Sequence, residues 1–577
     1  MRTIVTIALL CSSLLNTFGQ EKPDKLSSQQ VRNLTAFTKA YGYVKYFHPS
    51  REALSADWNE IAVRGVERVL SAKNEADLIL RLDSIFKPLG SSIFIGKNTE
   101  LPTDFPDYKG KVQFWHHKGS GIHPYDRSIY KSEIIRGALN VLENKYSVPL
   151  NQPFSAELVD SISISFPLAV PVKNNKKSAD KVEMKSYQIT QLDVRLAGII
   201  IVWNELQHFY PYWDVVVVDW SKTLDKALLD ACDDTNELDY WNTLRRLMTA
   251  TQDGHGFTSI TNYSGKWRGV GIWPTLIDGR IIVHAHVKSL SQKITRGDEI
   301  ISIDGEPALE RYRKEKTLIS GSDQFQKRVA LATLLYSTFE ADSLELVLLN
   351  EKGEQYPVRI GFLPEGENKM PHLYEEIEEI EKGIYYVSLD RIEDEDFQQA
   401  LPNLMKAEGI IFELKRYPAS FGNYLSYLSR EPLKSARWNV PKISYPDQLH
   451  LTEFDTSGRW NIKPTKSNLA DKKMVFIISG RAISAAESYL GIIEHYQLGP
   501  IVGEEPTAGT NGNVNKIDLP GGFRVTYTGM KVLKHDGSQH HLVGIQPTHP
   551  VKLTQQAIRE GRDELIEEAL AILKEEK

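Results

Sequence analysis

Cysteine is nearly missing from this chain: its 577 residues include two, Cys11 and Cys232. Cys11 lies in the N-terminal leader described below, so a processed chain keeps Cys232 alone and an intramolecular disulfide framework is excluded. Cys232 sits in the helical-looking segment 226–234 and reads as a small buried apolar residue. A surplus of positive charge is missing too. The formal net charge is -6, so no bulk basic field favours nucleic acid as a partner. Long apolar runs are also lacking. Arg2 precedes an apolar stretch from Ile4 to Leu15, followed by Thr17, Phe18 and Gly19. This pattern predicts a secretory signal over residues 1–20, cut near Gly19 or Gln20. The stretch is too short to cross a bilayer, and no other run is long and apolar enough for a membrane span. Leu10 stands where a lipoprotein would need a small residue before Cys11. The expectation is an exported protein, soluble in the periplasm or outside the cell.

What is present is the make-up of an ordinary globular protein, 41% hydrophobic and 25% charged. At about 150 residues per domain, the length predicts three or four domains. A diverged internal repeat is the first organised feature. Phe47, Pro49, Asp57, Trp58 and Asn74 recur 162 positions later as Phe209, Pro211, Asp219, Trp220 and Asn236. Apolar positions at helical spacing in both copies, Trp58 to Ile85 and Trp220 to Met248, predict a duplicated small helical module. The second copy runs on into Thr251-Gln252-Asp253-Gly254-His255, whereas the aligned stretch of the first has no histidine.

Between the copies, residues 161–166 alternate as a strand, and the polar segment 173–185 suits a linker. From 266 to 365 short strands predominate. Arg280 to Val287 and Ile300 to Ile303 predict strands, Asp304-Gly305 a hairpin turn, and Ser343 to Leu349 with Tyr356 to Ile360 a further hairpin. His284 and His286 fall on one face of what reads as an edge strand. The last two hundred or so residues alternate strand and helix, as in a largely parallel α/β layer. Strands are predicted at 383–389, 409–414 and 474–479, and helices from Asp394 to Ala407 and from Ser484 to Tyr496.

Ser484 is the residue of chief chemical interest. It follows a buried strand and a short turn and opens a helix. Such a turn lifts a hydroxyl clear of the sheet, and a helix N-terminus offers unpaired N–H groups to a developing oxyanion. Ser484 can equally be a plain N-cap, with Glu487 completing a capping box. His540 and His541 lack a carboxylate or cysteine partner at metal-ligand spacing, and His541 reads as a polar residue on a surface strand. No Gly-x-Ser-x-Gly elbow is present, which disfavours a lipase or esterase of the α/β-hydrolase type.

Taken in order, Arg481–Glu487, Ile501–Thr510, Gly522–Thr528, Asp536–Ser538, Gly544–Pro547 and Glu560–Asp563 resemble the motifs of the C-terminal-processing protease family, which includes tail-specific proteases and the tricorn core. The resemblance spans about residues 250–570 and implies that Ser484 is a nucleophile. Tail-specific members take their base from a lysine downstream of the serine; here Thr510 stands in that region and cannot act as a base. The tricorn-like branch draws its base from an Asp-x-His motif, matched by Asp253-Gly254-His255. His255 is therefore the expected general base, suited to neutral pH. The branch's glutamate ahead of Gly-Ile-x-Pro is replaced by His541, the candidate orienting residue. For the oxyanion the resemblance implies the backbone N–H groups of Ala485 and Ala419, although Pro418-Ala419-Ser420 departs from the family's glycine-rich turn.

The implied fold class is multidomain α/β: duplicated N-terminal helical modules, a PDZ-like β-rich domain, and a C-terminal protease core of the ClpP/crotonase-like type. The expected layout is an N-terminal domain over 21–186, a second helical repeat over 187–265, the PDZ-like domain over 266–365 and the core over 366–577. The implied activity is a serine endopeptidase acting on peptide or unfolded protein, presented by the PDZ-like domain as an added strand, with no cofactor and no metal. The alternative is a weakly active or inactive ligand- or peptide-binding protein on the same fold, since the family includes an interphotoreceptor retinoid-binding protein. Substrate and oligomeric state are not readable.

Overall fold

The computed structural model describes residues 25–575 apart from 103–107, 109, 122–127, 173–185, 262–267, 338–341, 365, 421–423 and 447–452. The expected signal and linker both lie outside the described residues. Among the described residues no helix is long and apolar enough to cross a membrane.

The repeat is structural. Helices Ser28–Phe47, Trp58–Leu70 and Glu75–Phe86 recur as Leu192–Phe209, Trp220–Asp233 and Glu237–Thr249. The local cause is shared capping chemistry. The Asp57 and Asp219 carboxylates accept the N–H groups of Glu60 and Lys222, and the Asn74 and Asn236 side chains accept those of Asp77 and Asp239. Each such cap contributes about 1 kcal/mol. The duplication extends beyond the helices. After the first copy, strand Phe94–Lys97 joins a hairpin of Pro153–Val159 and Ile162–Pro167; after the second, Thr258–Ile260 joins a hairpin of Val514–Leu519 and Phe523–Thr528. Both copies and both hairpins share one hydrophobic core, which runs from Leu34 and Phe37 through Ile200 and Leu244 to Val525 and Tyr527. The second copy thus borrows strands from the far end of the chain.

Three histidines are buried, His117 and His208 of them where the copies meet. His208 makes edge contacts with Phe47 and Tyr46, His117 with Phe47 and Phe209, and His48 with Phe166. Burial pushes His48 and His208 down to about 3 and His117 to about 4. These groups stay neutral in the fold, while the unfolded chain protonates them below about 6.5. Their contribution is complete above that pH and is lost as pH falls from about 6.5 toward about 3. The thermal midpoint should therefore drop between pH 7 and pH 5; a pH-independent midpoint over that range would contradict the assignment.

Residues 268–361 form a β-rich unit. Its sheet has the order Gln355–Gly361, Ser343–Leu349, Glu299–Ile303, Arg280–His286, Ile272–Ile277, with helices Ala308–Lys316 and Asp323–Thr333 packed on it. Asp304 (φ 50°) and Gly305 (φ 79°) turn the hairpin that pairs Ile303 with Glu306. One expectation fails here. Arg280–His286 is an interior strand with a bulge between Val283 and Ala285, because Ile272–Ile277 covers its outer side. His284 and His286 therefore do not mark an edge.

The C-terminal sheet runs Ile377–Glu381, Ile384–Ser388, Gly409–Leu414, Lys473–Ile478, Ile501–Gly503, His549–Pro550. Apart from its antiparallel first strand it is parallel. Gly409–Leu414 is buried along its length, as near-continuous apolar runs are when both faces of a parallel sheet are covered. Helices Asp394–Leu404 and Ala485–Tyr496 cover one face and Glu564–Lys574 the other.

Candidate active site

Strand Lys473–Ile478 ends against a tight turn. The Ser479 hydroxyl donates to the Lys415 carbonyl at 2.6 Å, and the Ala482 N–H donates to the Ser479 carbonyl at 3.0 Å. Ser484 follows with φ 62° and ψ -114°, a left-handed conformation at a residue with a side chain. Such a conformation costs roughly 1–3 kcal/mol and persists where the surroundings impose it. The Ser484 side chain makes no cap bond, so it is not the N-cap of a capping box. Ser484 is half-buried at the start of the helix Ala485–Tyr496. The N–H of Ala485 starts that helix with no carbonyl partner among the described residues.

Glu487 does something other than close a box. It is buried, and its carboxylate accepts the Thr507 hydroxyl at 2.5 Å and the N–H groups of Gly509 and Thr510 at 2.7 Å each. This holds the loop 507–510 against the first turn of the helix. His540, also buried, lies with Nε2 3.2 Å from the same carboxylate. His541 is buried as well, so the surface-strand expectation for it is wrong.

Thr510, the residue standing where a lysine would be, joins the two candidate groups. Its carbonyl accepts the Ser484 N–H at 2.8 Å, and its hydroxyl accepts the Gly254 N–H at 3.0 Å. Gly254 is needed for this approach: a Cβ there would lie 2.7 Å from the Thr510 hydroxyl and 3.1 Å from Ile483 Cδ1. The loop bearing Asp253 and His255 is thereby docked onto the turn bearing Ser484. Ser320 braces it from the β-rich unit, accepting the Asp253 N–H at 2.9 Å and donating to the Met248 carbonyl at 2.8 Å.

Within the loop, Asp253 Oδ1 accepts the His255 N–H at 3.0 Å. His255 Nδ1 lies 2.9 Å from the Thr528 hydroxyl, which donates to Asp253 Oδ1 at 2.7 Å. The Thr528 N–H donates to Asp253 Oδ2 at 2.6 Å. His255 Nε2 has no hydrogen bond among the described residues. Burial pushes the His255 imidazole below its ordinary pKa, with the Asp253 and Glu487 charges opposing that shift.

Residues 383–551 match the model of peptidase family S41. The core is that of a family S41 serine peptidase. The resemblance read from the ordered motifs is borne out, as is the expectation of a serine-type peptidase. Among solved structures, mature CPAF, determined in complex with lactacystin, is 15% identical over 66% of this chain and 98% of its own, with a TM-score of 0.53; the two share a fold. The photosystem II D1 C-terminal processing protease is 12% identical over 62% of this chain and 93% of its own, at a TM-score of 0.38. Tricorn protease is 14% identical over 71% of this chain and 39% of its own, at 0.34. No curated protein matches the sequence.

Two details of the S41 site differ from expectation. His541 does not reach His255 Nδ1. It stacks on Tyr212 with ring centroids 4.0 Å apart and lies 3.3 Å from the Tyr210 hydroxyl, and burial pushes it down to about 4. The Ala419 N–H donates to the Leu389 carbonyl at 3.2 Å, so it is engaged rather than free for an oxyanion. Thr528 and Thr510 are the functional candidates that motif reading missed. Both end motif stretches, but their roles carry no local signal, since Thr528 meets His255 and Thr510 meets Gly254 across more than 250 positions.

A cavity of about 350 Å³ opens between the β-rich unit and the carboxyl ends of the S41 strands, lined by Trp273, Thr275, His284, Leu331, Lys415 and Arg481 among others. Such strand ends are where open α/β sheets bind ligands. Burial pushes His284 down to about 4. Helix Asp323–Thr333 closes one side, with Lys327 3.2 Å from Glu505 and 3.6 Å from Glu504, and Arg328 paired to both carboxylates. Among the described residues no cluster of side chains suits a metal ion.

Proposed function

We propose that this chain is an exported endopeptidase that cleaves extended peptide or protein through an acyl-enzyme, with Ser484 as nucleophile and His255 as general base. The observation that carries the reading is the strained, uncapped Ser484 turn held to the Asp253–His255 loop through Thr510. His255 Nε2 takes the Ser484 proton as the hydroxyl attacks the scissile carbonyl, then returns it to the leaving amine. The Ala485 N–H, at the positive end of the helix, supports the developing oxyanion. Ile272–Ile277 ends its sheet among the described residues, and its outer edge, beside helix Asp323–Thr333, suits a substrate segment added as a strand in the manner of a PDZ domain. The leader of residues 1–20 supports export.

A fluorophosphonate probe tests the reading. The wild-type chain should be labelled, and Ser484→Ala should abolish labelling. A base must be neutral, and burial lowers the His255 pKa. The acid limb of the labelling rate should therefore lie below pH 6.5, the ordinary value for histidine. A folded wild-type chain that resists the probe would favour the ligand-binding alternative, to which the engaged Ala419 N–H lends some support.

A further inference from the structure

We infer that Thr528 and Asp253 are the positioning residues of this site, a hydroxyl and a carboxylate in series that take the place of a single acid directly behind the base. The inference rests on the Ser484–His255 reading and deepens it.

The hydrogen-bond directions fix the tautomer. Thr528 has one hydroxyl proton, and that proton goes to Asp253 Oδ1. Its oxygen can then only accept from His255 Nδ1, so the ring carries its proton on Nδ1 and leaves Nε2 with a lone pair. Asp253 is in turn locked by the N–H groups of Thr528 and His255. Asp253 and Thr528 are fully buried and His255 nearly so. When Nε2 accepts the serine proton, the positive charge on the ring is stabilised by a carboxylate one hydroxyl away, and the ring has no freedom to rotate off the nucleophile. The groups facing the imidazole are Asp253 and Glu487, whose charges favour its protonated form, and His541, which is held neutral by burial.

The internal duplication provides a control within the chain. Strand pairing aligns Thr258 opposite Val525 in the second copy and Gly96 opposite Ser163 in the first. Carried along both strands and the preceding loops, this sets Ser91, Ile93 and Phe166 at the positions of Asp253, His255 and Thr528. Ile93 and Phe166 are buried in the shared core. The same architecture thus closes in the first copy with two buried apolar side chains, the third position being an exposed serine. A buried carboxylate, hydroxyl and imidazole are not what the fold requires there, and their presence in the second copy calls for another reason. The first copy correspondingly has no base.

The test uses the full-length chain, with fluorophosphonate labelling rate against pH, thermal midpoint, and 15N NMR of labelled histidine, His255 being assigned from the spectrum of His255→Gln. Thr528→Val should slow labelling on the order of 10²-fold, the lower range of a general-base contribution, and shift the His255 signal away from the Nδ1–H form. Thr528→Ser, which keeps the hydroxyl, should restore the rate to within a few-fold. Asp253→Asn should slow labelling and move the acid limb further down, since it removes a charge that favours the imidazolium. Labelling by Thr528→Val at the wild-type rate, or equal losses in the Val and Ser variants that track the thermal midpoint, overturns the inference while leaving Ser484 and His255 standing. If wild type is not labelled at all, the catalytic reading fails. The NMR spectrum still decides the positioning role, because a Nδ1–H form that survives Thr528→Val refutes it.

Discussion

Ser484→Ala, His255→Ala and the double variant should each lower peptide hydrolysis by about the same factor, on the order of 10⁴ or more. The reasoning is that the two groups act as a unit. A serine hydroxyl is a weak nucleophile until a base takes its proton, and an imidazole without a nucleophile beside it has nothing to activate. Removing either therefore forfeits the joint contribution, and removing the second costs little more. The residual rate would come from substrate binding and from the Ala485 N–H at the helix start. Ser484→Ala removes one half-buried hydroxyl and should leave the thermal midpoint near wild type, whereas His255→Ala empties a buried position and should lower it, so the rates are compared at a temperature where all four proteins are folded. The measurement is the rate on an unstructured protein substrate for all four proteins. Multiplicative losses in the double variant would show that the two side chains act independently and would break the proposed pair.

Glu487→Ala should be among the most destabilising single substitutions in the S41 core. The Glu487 carboxylate satisfies the Thr507 hydroxyl and the N–H groups of Gly509 and Thr510, all in a buried loop. Each donor left unpaired costs about 1–3 kcal/mol, so a loss of roughly 3–5 kcal/mol is expected, in the range for breaking a buried charged network. For a domain of this size that corresponds to a fall in melting midpoint of roughly 6–20 °C. The damage should reach catalysis as well. Thr510 is the residue that receives both the Ser484 N–H and the Gly254 N–H, and it is Glu487 that holds Thr510 in place. At a temperature where the variant remains folded, probe labelling should still be slowed. An unchanged melting curve would show that water or a neighbouring group takes over those donors.

The elements of this protein were largely legible in the amino-acid sequence, and for a local reason. Helix and strand periodicity, caps such as Asp57 and Asn236, and turns such as Asp304-Gly305 are settled by residues within a few positions of one another. The alternating strands and helices from Ile384 to Ile478 were readable for the same reason, as were the duplicated helices. Ser484 stood out because a strand, a turn and a helix succeed one another around it. The sequence could also say that Thr510 is no base and that Asp253-Gly254-His255 is a candidate.

What holds those candidates together was decided only by the tertiary structure. The partner of His255 Nδ1 is 273 positions away, on a strand that pairs with Thr258–Ile260. Thr528 closes the motif stretch Gly522–Thr528, but nothing in that stretch marks it as the partner of His255, because a hydrogen bond across that separation is set by how two distant strands register. The same holds for Glu487. By sequence it looks like the third residue of a capping box, yet its carboxylate turns to a loop 20 to 23 positions downstream. The Ser484 backbone is twisted into a region where its side chain cannot cap. His541 and Ala419 do not take the places expected of them for the converse reason: each was placed by counting along a motif, and in the fold each is already bonded elsewhere, to Tyr210 and to Leu389. Local chemistry determined which residues could act; long-range packing determined which of them meet.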